Sequence, residues 1–313
     1  MLKYRIPGQT ITSLSGRFIK IESANIQGFT LIDFNKKNNY IFQEGPEFQK
    51  ENNPLLPLPY VQSKEDYLAQ SKQVIETLKS EGDLEKIVFS RIKQVEFPSD
   101  GNSLFYKLES AYPNAFVYYF KDPELGEWIG ATPEVLVQGE NEHFSSVALA
   151  GTKKAEETND WGDKEKEEQA FVSRYLADKL RQFELRALQS DGPKTIFAGP
   201  LAHLRTDFHW QSHSELAWKV AQDLHPTPAV SGTPVDLATK WILQEEKHAR
   251  SFYAGIIGER QAQHMNLYVN LRCAQIIDSH LYLYLGGGFT SDSDPEKEWE
   301  ETENKSKTLL NLL

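Results

Sequence analysis

Cysteine is almost absent from this 313-residue chain: Cys273 stands alone, which excludes an internal disulfide and any zinc site built on several thiolates. Long apolar runs are missing too, and no stretch approaches the roughly 18 residues that a membrane helix needs. The opening MLKYRIPGQTI lacks the apolar centre of a signal peptide, so the cytoplasm is the expected location. Clusters of Lys and Arg are absent, and the formal net charge of -11 removes the basic face on which nucleic-acid binding depends. There is no internal repeat, no low-complexity tract, no HExxH, no G-x-S-x-G elbow and no cysteine-nucleophile motif, so ordinary serine or thiol hydrolysis is not expected.

What remains is the composition of a soluble globular protein: 39% hydrophobic, 12% aromatic and 25% charged residues. An acidic protein of this kind binds an anion only through local devices. These are a bridging cation, a few placed Arg or Lys side chains, or backbone N–H groups at a turn or helix start.

Residues 1 to 45 alternate short apolar runs with Gly and Asn breaks and read as antiparallel strands. PEFQKENNPLLPLP (46–59), with four of the fifteen prolines, is the candidate connector. A helix is expected over 64–81, opened by Ser63 three residues before Asp66. Strands follow in KIVFSRIKQVEF, AFVYYF, EWIGATPEVLVQ and HFSSVALAGT. A charged linker at 153–163 leads to a helix over about 164–189, then a polar loop region and two shorter helices over 200–250. NLYVNLRCAQII and HLYLYLGGGF are expected to form a last hairpin turning at Asp278-Ser279-His280, before a helix over 295–312. Strands and helices come in blocks, which favours an α+β fold with antiparallel sheets over a doubly wound one.

Two helices carry acidic faces. In the last one Ser293 and Asp294 are N-cap candidates, Pro295 suits the first turn, and Glu296 falls where it would close a capping box with Ser293. Glu298, Glu301 and Lys305 then share one face, as Glu165 and Glu168 do in the earlier helix. Each face is by itself compatible with a solvated surface; brought together, the two would suit a hard cation such as Mg²⁺. Likewise GGGFT (286–290) is either a tight turn or bare backbone open to a planar carboxylate. In NLYVNLRCAQII, alternation puts Arg272 on the face of Tyr268 and Asn270, either solvated or aimed at a carboxylate. The H-x-x-x-H pair His209 and His213, with His203 nearby, has no accompanying metal motif and reads as ordinary surface or core histidine.

Taken in order, KIVFSR, GATPE, ALAGT, LHPTPAVSGTP, RSFYAGIIGE, NLRCAQI and GGGFTSDSDPEKEWEETENK resemble the chorismate-utilising enzymes. That family comprises the isochorismate and salicylate synthases, anthranilate synthase component I and aminodeoxychorismate synthase component I. The resemblance runs from about residue 80 to the C-terminus and implies two large antiparallel sheets packed together with helices outside, as one catalytic domain over 1–313 whose N-terminal strands occupy 1–60.

The resemblance also implies roles. Glu168 and Glu301 match magnesium-binding glutamates, with Glu165 and Glu298 as acidic neighbours. Arg272, Lys305 and the backbone around Gly151, Thr152 and Gly287 match groups that hold the substrate carboxylates. His203, Ala229 and Tyr253 match pocket residues. Lys86 matches the lysine that activates water for attack at C2 of chorismate, and Glu134 the acid that protonates the departing C4 hydroxyl. Where aminodeoxychorismate synthases resemble one another in a nucleophilic lysine, this chain has Ala150. The implied activity is therefore isochorismate synthesis with Mg²⁺, with no obligatory glutaminase partner; salicylate synthesis or an ammonia-using synthase is the alternative. Two departures from the family pattern, Gln169 after Glu168 and Gly287 between two glycines, remove none of these groups.

Overall fold

The computed structural model describes residues 1–22, 27–46, 57–80, 82–154, 156, 159–198 and 201–313. Most of the proline-rich connector (residues 47–56) and part of the charged linker (155, 157 and 158) lie outside the described residues. In chain order the elements begin with β1 (Leu2–Arg5), β2 (Thr12–Leu14), β3 (Gly16–Ile21), β4 (Gly28–Ile32), β5 (Asn39–Glu44), α1 (Lys64–Ser80), β6 (Lys86–Glu96) and α2 (Gly101–Ala111). They continue with β7 (Phe116–Asp122), β8 (Gly126–Thr132), β9 (Val135–Glu140), β10 (His143–Lys154), α3 (Asp163–Arg181), β11 (Arg186–Ala198), β12 (Leu201–Gln211) and α4 (Ser214–Leu224). The last are β13 (Gly232–Thr233), α5 (Val235–Glu245), β14 (Ile256–Arg260), β15 (His264–Val269), β16 (Cys273–Ile277), β17 (His280–Phe289) and α6 (Pro295–Leu310).

The strands form two antiparallel sheets, as expected for the α+β class. One runs β13-β6-β17-β16-β8-β7-β1-β2 and the other β11-β12-β10-β9-β15-β14-β4-β5-β3. The run FVYYF in β7 shows why they pack. Phe116, Tyr118 and Phe120 point to the second sheet, where Phe116 stacks on Tyr268 with ring centroids 4.5 Å apart and Phe120 meets Phe18 edge-on at 4.9 Å. Val117 and Tyr119 point the other way, into a cluster with Leu104, Phe105 and Leu108 of α2 and Leu309 of α6. A strand buried on both faces reads as a continuous apolar run, and each such aromatic contributes on the order of 2 kcal/mol of burial.

Three expectations are corrected and one helix is added. EWIGATPEVLVQ is two strands, β8 and β9, in different sheets, parted at Pro133-Glu134. NLYVNLRCAQII is likewise β15 and β16, parted at Asn270–Arg272, so Arg272 does not share a strand face with Tyr268 and Asn270; it adopts a left-handed backbone with φ 51°. The apolar pattern continues through both crossings with no break in the sequence, and that hides the change of sheet. The helix expected to reach 189 ends at Arg181, and β11 pairs antiparallel with β12, a strand that stands at the start of the 200–250 region where a polar loop was expected. β11 is an edge strand with mostly exposed side chains, so it carries little apolar signal. Finally, 101–111 is a helix, capped by Asp100, whose side chain accepts the Ser103 N–H.

The helix ends hold the predicted chemistry with one change. Ser63 Oγ accepts the Asp66 N–H at 3.1 Å. At α6 the cap is Asp294, which accepts the N–H groups of Glu296 and Lys297 at 2.9 and 3.1 Å, while Ser293 Oγ turns to Glu298 at 3.2 Å. Asp294→Ala is therefore expected to lower stability by about 1 kcal/mol, read as a shift of the urea midpoint at constant slope; no shift would mean that water caps α6 equally well.

Candidate active site

The two sheet crossings lie side by side. The Val269 N–H donates to the Glu134 carbonyl at 2.9 Å, the Ala131 N–H to the Arg272 carbonyl at 3.2 Å, and Thr132 Oγ1 to the Val269 carbonyl at 2.6 Å. Two charged residues, Glu134 and Arg272, are thereby set where the sheets part. Burial pushes the Glu134 carboxyl up to about 7, opposed by the nearby Arg272 charge.

In front of this point opens a cavity of about 810 Å³ with an inner compartment of about 270 Å³. Lys86, Glu168, Arg272, Glu301 and Lys305 line both. Lys86 begins β6 beside the glycine run of β17. The run is not the tight turn that was one of its two readings: Gly286, Gly287 and Gly288 pair in register with Ser90, Phe89 and Val88. A Cβ on Gly286 would come within 2.5 Å of the buried Tyr253 hydroxyl, which calls for bare backbone there; on Gly287 it would come within 2.8 Å of a Glu298 oxygen and on Gly288 within 2.9 Å of Lys86 Cε, ends of flexible side chains that can give way.

α3 and α6 bring their acidic faces to the same cavity: Glu165, Glu168, Glu298 and Glu301 all line the outer part. Lys86 Nζ bonds Glu168 Oε1 at 3.0 Å. Lys305 Nζ lies 2.5 Å from Glu301 Oε1 and donates to the Gly286 carbonyl at 2.7 Å, and Arg272 Nη1 donates to the Lys305 carbonyl at 3.3 Å. Burial raises the Glu301 carboxyl, but Lys305, Arg272 and Lys86 outweigh it and leave the group below the usual carboxylate range.

The remaining predicted residues divide. Ala229, Tyr253 and Gly151 line the inner compartment and His203 the outer one. Desolvation lowers the His203 pKa, partly offset by its hydrogen bond to the Gly151 backbone, and favours the neutral ring. Gly151, at φ 69°, sits against the first turn of α3, where a Cβ would lie 3.1 Å from the Glu165 carbonyl. Thr152 pairs with His203 in the β10–β12 ladder, and its side chain lies outside the described residues. Glu134 lines neither compartment and reaches the site through the Arg272 charge. His209 is exposed on β12 and His213 pairs with Glu142 at 2.8 Å, so the two form no metal pair.

The sequence profile described as "Chorismate binding enzyme" matches residues 22–313. The chain belongs to the chorismate binding enzyme family. Among its relatives, the isochorismate synthase MenF of Escherichia coli (strain K12) is 32% identical over 247 residues, which cover 75% of this chain and 57% of that protein. Anthranilate synthase component 1 of Aquifex aeolicus (strain VF5) is 26% identical over 265 residues, 80% of this chain and 52% of that protein. The chain thus spans between half and six-tenths of the length of these two relatives. The solved structure of E. coli MenF superposes with a TM-score of 0.82 at 22% identity, over 100% of this chain and 88% of that one, which shows the same fold.

For a chorismate binding enzyme the inner compartment adds residues that the motifs did not single out: Val88, Leu149, Val172, Val230, Leu271 and Tyr284. Most are apolar neighbours of the motif residues, and in sequence they are indistinguishable from core. Tyr284, stacked on Tyr253 with centroids 5.7 Å apart, belongs to an alternating strand whose aromatic run gave no sign of facing a cavity.

Proposed function

We propose that the protein is an isochorismate synthase. The observation that carries this reading is Lys86, at the boundary of the two compartments, within one cavity that also presents Arg272 and Lys305. The two cationic side chains supply what a dicarboxylate needs in an acidic protein, a bidentate fork from the guanidinium and a point charge from the ammonium. Lys86 removes a proton from water as its oxygen bonds to C2 of the ring; the ring double-bond electrons shift and the C4–O bond breaks. The departing hydroxyl takes its proton from Glu134, which lines neither compartment and so reaches the leaving oxygen through a side-chain shift or one bridging water, and which burial keeps about half protonated near pH 7. Ala150, which also lines the inner compartment, offers no amine there, in keeping with water as the nucleophile.

Magnesium fits the donor set in kind. Carboxylates from two separate helices line the outer cavity, and oxygen donors are what a hard cation takes. No three His, Cys, Asp or Glu side chains converge as a metal cluster among the described residues. Glu168 and Glu301 would hold the ion, with Glu165 and Glu298 beside them, and water or substrate oxygens would complete its shell. When bound it supplies positive charge for the ring carboxylate.

Incubation with chorismate, Mg²⁺ and ammonium, followed by product identification, tests the reading. Isochorismate is the expected main product; an aminated product, or salicylate with pyruvate, would replace this reading with another activity of the family. EDTA is expected to abolish turnover and Mg²⁺ to restore it, and Glu301→Ala to lose it. Full activity of that variant would remove Glu301 from the metal site.

A further inference from the structure

Behind the inner compartment lies a buried polar cluster that lines neither part of the cavity. Arg250, only 4% exposed, donates from Nε and Nη2 to the two Glu246 oxygens at 2.7 and 2.6 Å. Its Nη1 donates to the Val230 carbonyl at 2.7 Å and Nη2 also to the Val88 carbonyl at 2.6 Å. Glu246 Oε1 accepts both the N–H and the hydroxyl of Ser90, each at 2.8 Å, and the hydroxyl lies 3.1 Å from His248 Nε2. Ser90, His248 and Glu246 have the residue types of a hydrolytic triad, yet Ser90 is fully buried and faces no cavity, and its hydroxyl donates to the carboxylate. A nucleophile so placed meets no substrate.

The cluster joins three separate pieces of the inner wall. Val88 lies two residues beyond Lys86 on β6; Val230 follows Ala229 in the turn before β13; Tyr253 hangs from Arg250 through its own N–H, which donates to the Arg250 carbonyl at 2.9 Å. Beyond the cluster, the strand and the turn are joined by the Val88 N–H to the Ser231 carbonyl and the Glu85 N–H to the Thr233 carbonyl, both at 2.8 Å. One guanidinium thus spans the gap between the strand that carries Lys86 and the turn that faces it. A lysine ammonium, a single point of charge, cannot satisfy two carbonyls and a bidentate carboxylate at once.

We propose that Arg250, held by Glu246 and Ser90, is a positioning residue: it sets the distance between the Lys86 strand and the Ala229–Val230 turn, and so the alignment of Lys86 with a bound ring. The catalytic part of this rests on the isochorismate synthase reading; the structural part does not. Arg272 and Lys305, which hold the carboxylates, stand on other elements, so binding survives while alignment suffers.

Arg250→Lys is the test, read in two ways. Amide hydrogen exchange at Val88 and Ser231 is expected to quicken by about tenfold or more, with Ile92 further along β6 unchanged. With chorismate, kcat is expected to fall by about 10 to 10² while KM stays within about threefold, as misalignment without loss of binding requires. Ser90→Ala, which spares the guanidinium, shows the same pattern more weakly and serves if Arg250→Lys fails to fold. Unchanged exchange at Val88 and Ser231 would overturn the proposal whether or not the wild type is active. Quickened exchange with a wild-type kcat would overturn its catalytic part. A wild type inert towards chorismate would instead sink the isochorismate reading, and exchange alone would then decide the structural claim.

Discussion

Lys86→Met is expected to lower turnover of chorismate by at least about 10² to 10⁴, the range that follows loss of a general base, with chorismate binding retained. The side chain begins β6, its stem lies over the bare backbone of Gly288, and its ammonium bonds Glu168 at 3.0 Å. That bond ties up the Lys86 nitrogen, which is free to act as a base once the pairing carboxylate is engaged elsewhere or a second cation approaches. A magnesium ion on Glu168 and Glu301 would do both. Methionine keeps the bulk beside Gly288 and removes only the amine, so the cavity is preserved. Arg272 and Lys305 remain to hold the carboxylates, and titration calorimetry with chorismate and Mg²⁺ is expected to give an affinity close to that of the wild type. Near-normal turnover would refute water activation by Lys86, whereas lost binding would make the lysine an anchor.

On the proposed reading, those two lysines also explain how a chain of formal charge -11 would accommodate a dianion. The acidic residues of α3 and α6 do not repel the ligand as a bare carboxylate cluster would, because Glu168 and Glu301 are each neutralised by a lysine from within the same cavity. The field that the ligand meets is set locally, by Arg272, Lys86 and Lys305 at short range, and the surface charge further away is screened within about 8 to 10 Å.

Legibility in the sequence followed the physics of each element. Helix ends were readable because capping is local: Ser63 for α1 and Asp294 with Pro295 for α6 act within three residues. The β16–β17 turn was readable for the same reason, since Asp278 and Ser279 both take positive φ, as a two-residue hairpin of this type requires. The helical spacing of Glu165 with Glu168 and of Glu298 with Glu301 was visible, but the meeting of α3 and α6 over one cavity is a long-range outcome, and only resemblance supplied it. The crossings at 133–134 and 270–272 were not readable at all. Alternating patterns tell which side of a strand is buried, not which sheet it joins, so the juxtaposition of Glu134 and Arg272 was hidden. In β12 the alternation of Ala202, Leu204, Phe208 and Trp210 was present, masked by the intervening His, Arg, Asp and His residues.

Glu134→Gln should be as damaging as Lys86→Met, and its pH behaviour identifies the reason. Burial pushes this carboxyl up to about 7, so in the wild type it is mostly protonated at pH 6 and mostly ionised at pH 8. An acid must carry its proton, so kcat is expected to fall as pH rises through about 7. Glutamine has no proton to give, and the variant is expected to lose about 10² to 10⁴ in turnover and to lack that descending limb. Stability supplies a check that is independent of substrate. Between the usual carboxylate value and about 7 the folded protein holds a proton that the unfolded chain has released. The contribution of this group is therefore fully present at acid pH and is lost as pH rises through about 7. At about 1.4 kcal/mol per tenfold change in proton affinity, the loss reaches up to about 3 kcal/mol. Glutamine buries no charge at any pH. Denaturant midpoints measured from pH 5 to 8.5 are thus expected to show Glu134→Gln gaining on the wild type as pH rises, then running parallel above the titration. Curves parallel throughout would mean that Glu134 is an ordinary ionised carboxylate, and the role of proton donor to the leaving hydroxyl would pass to another group.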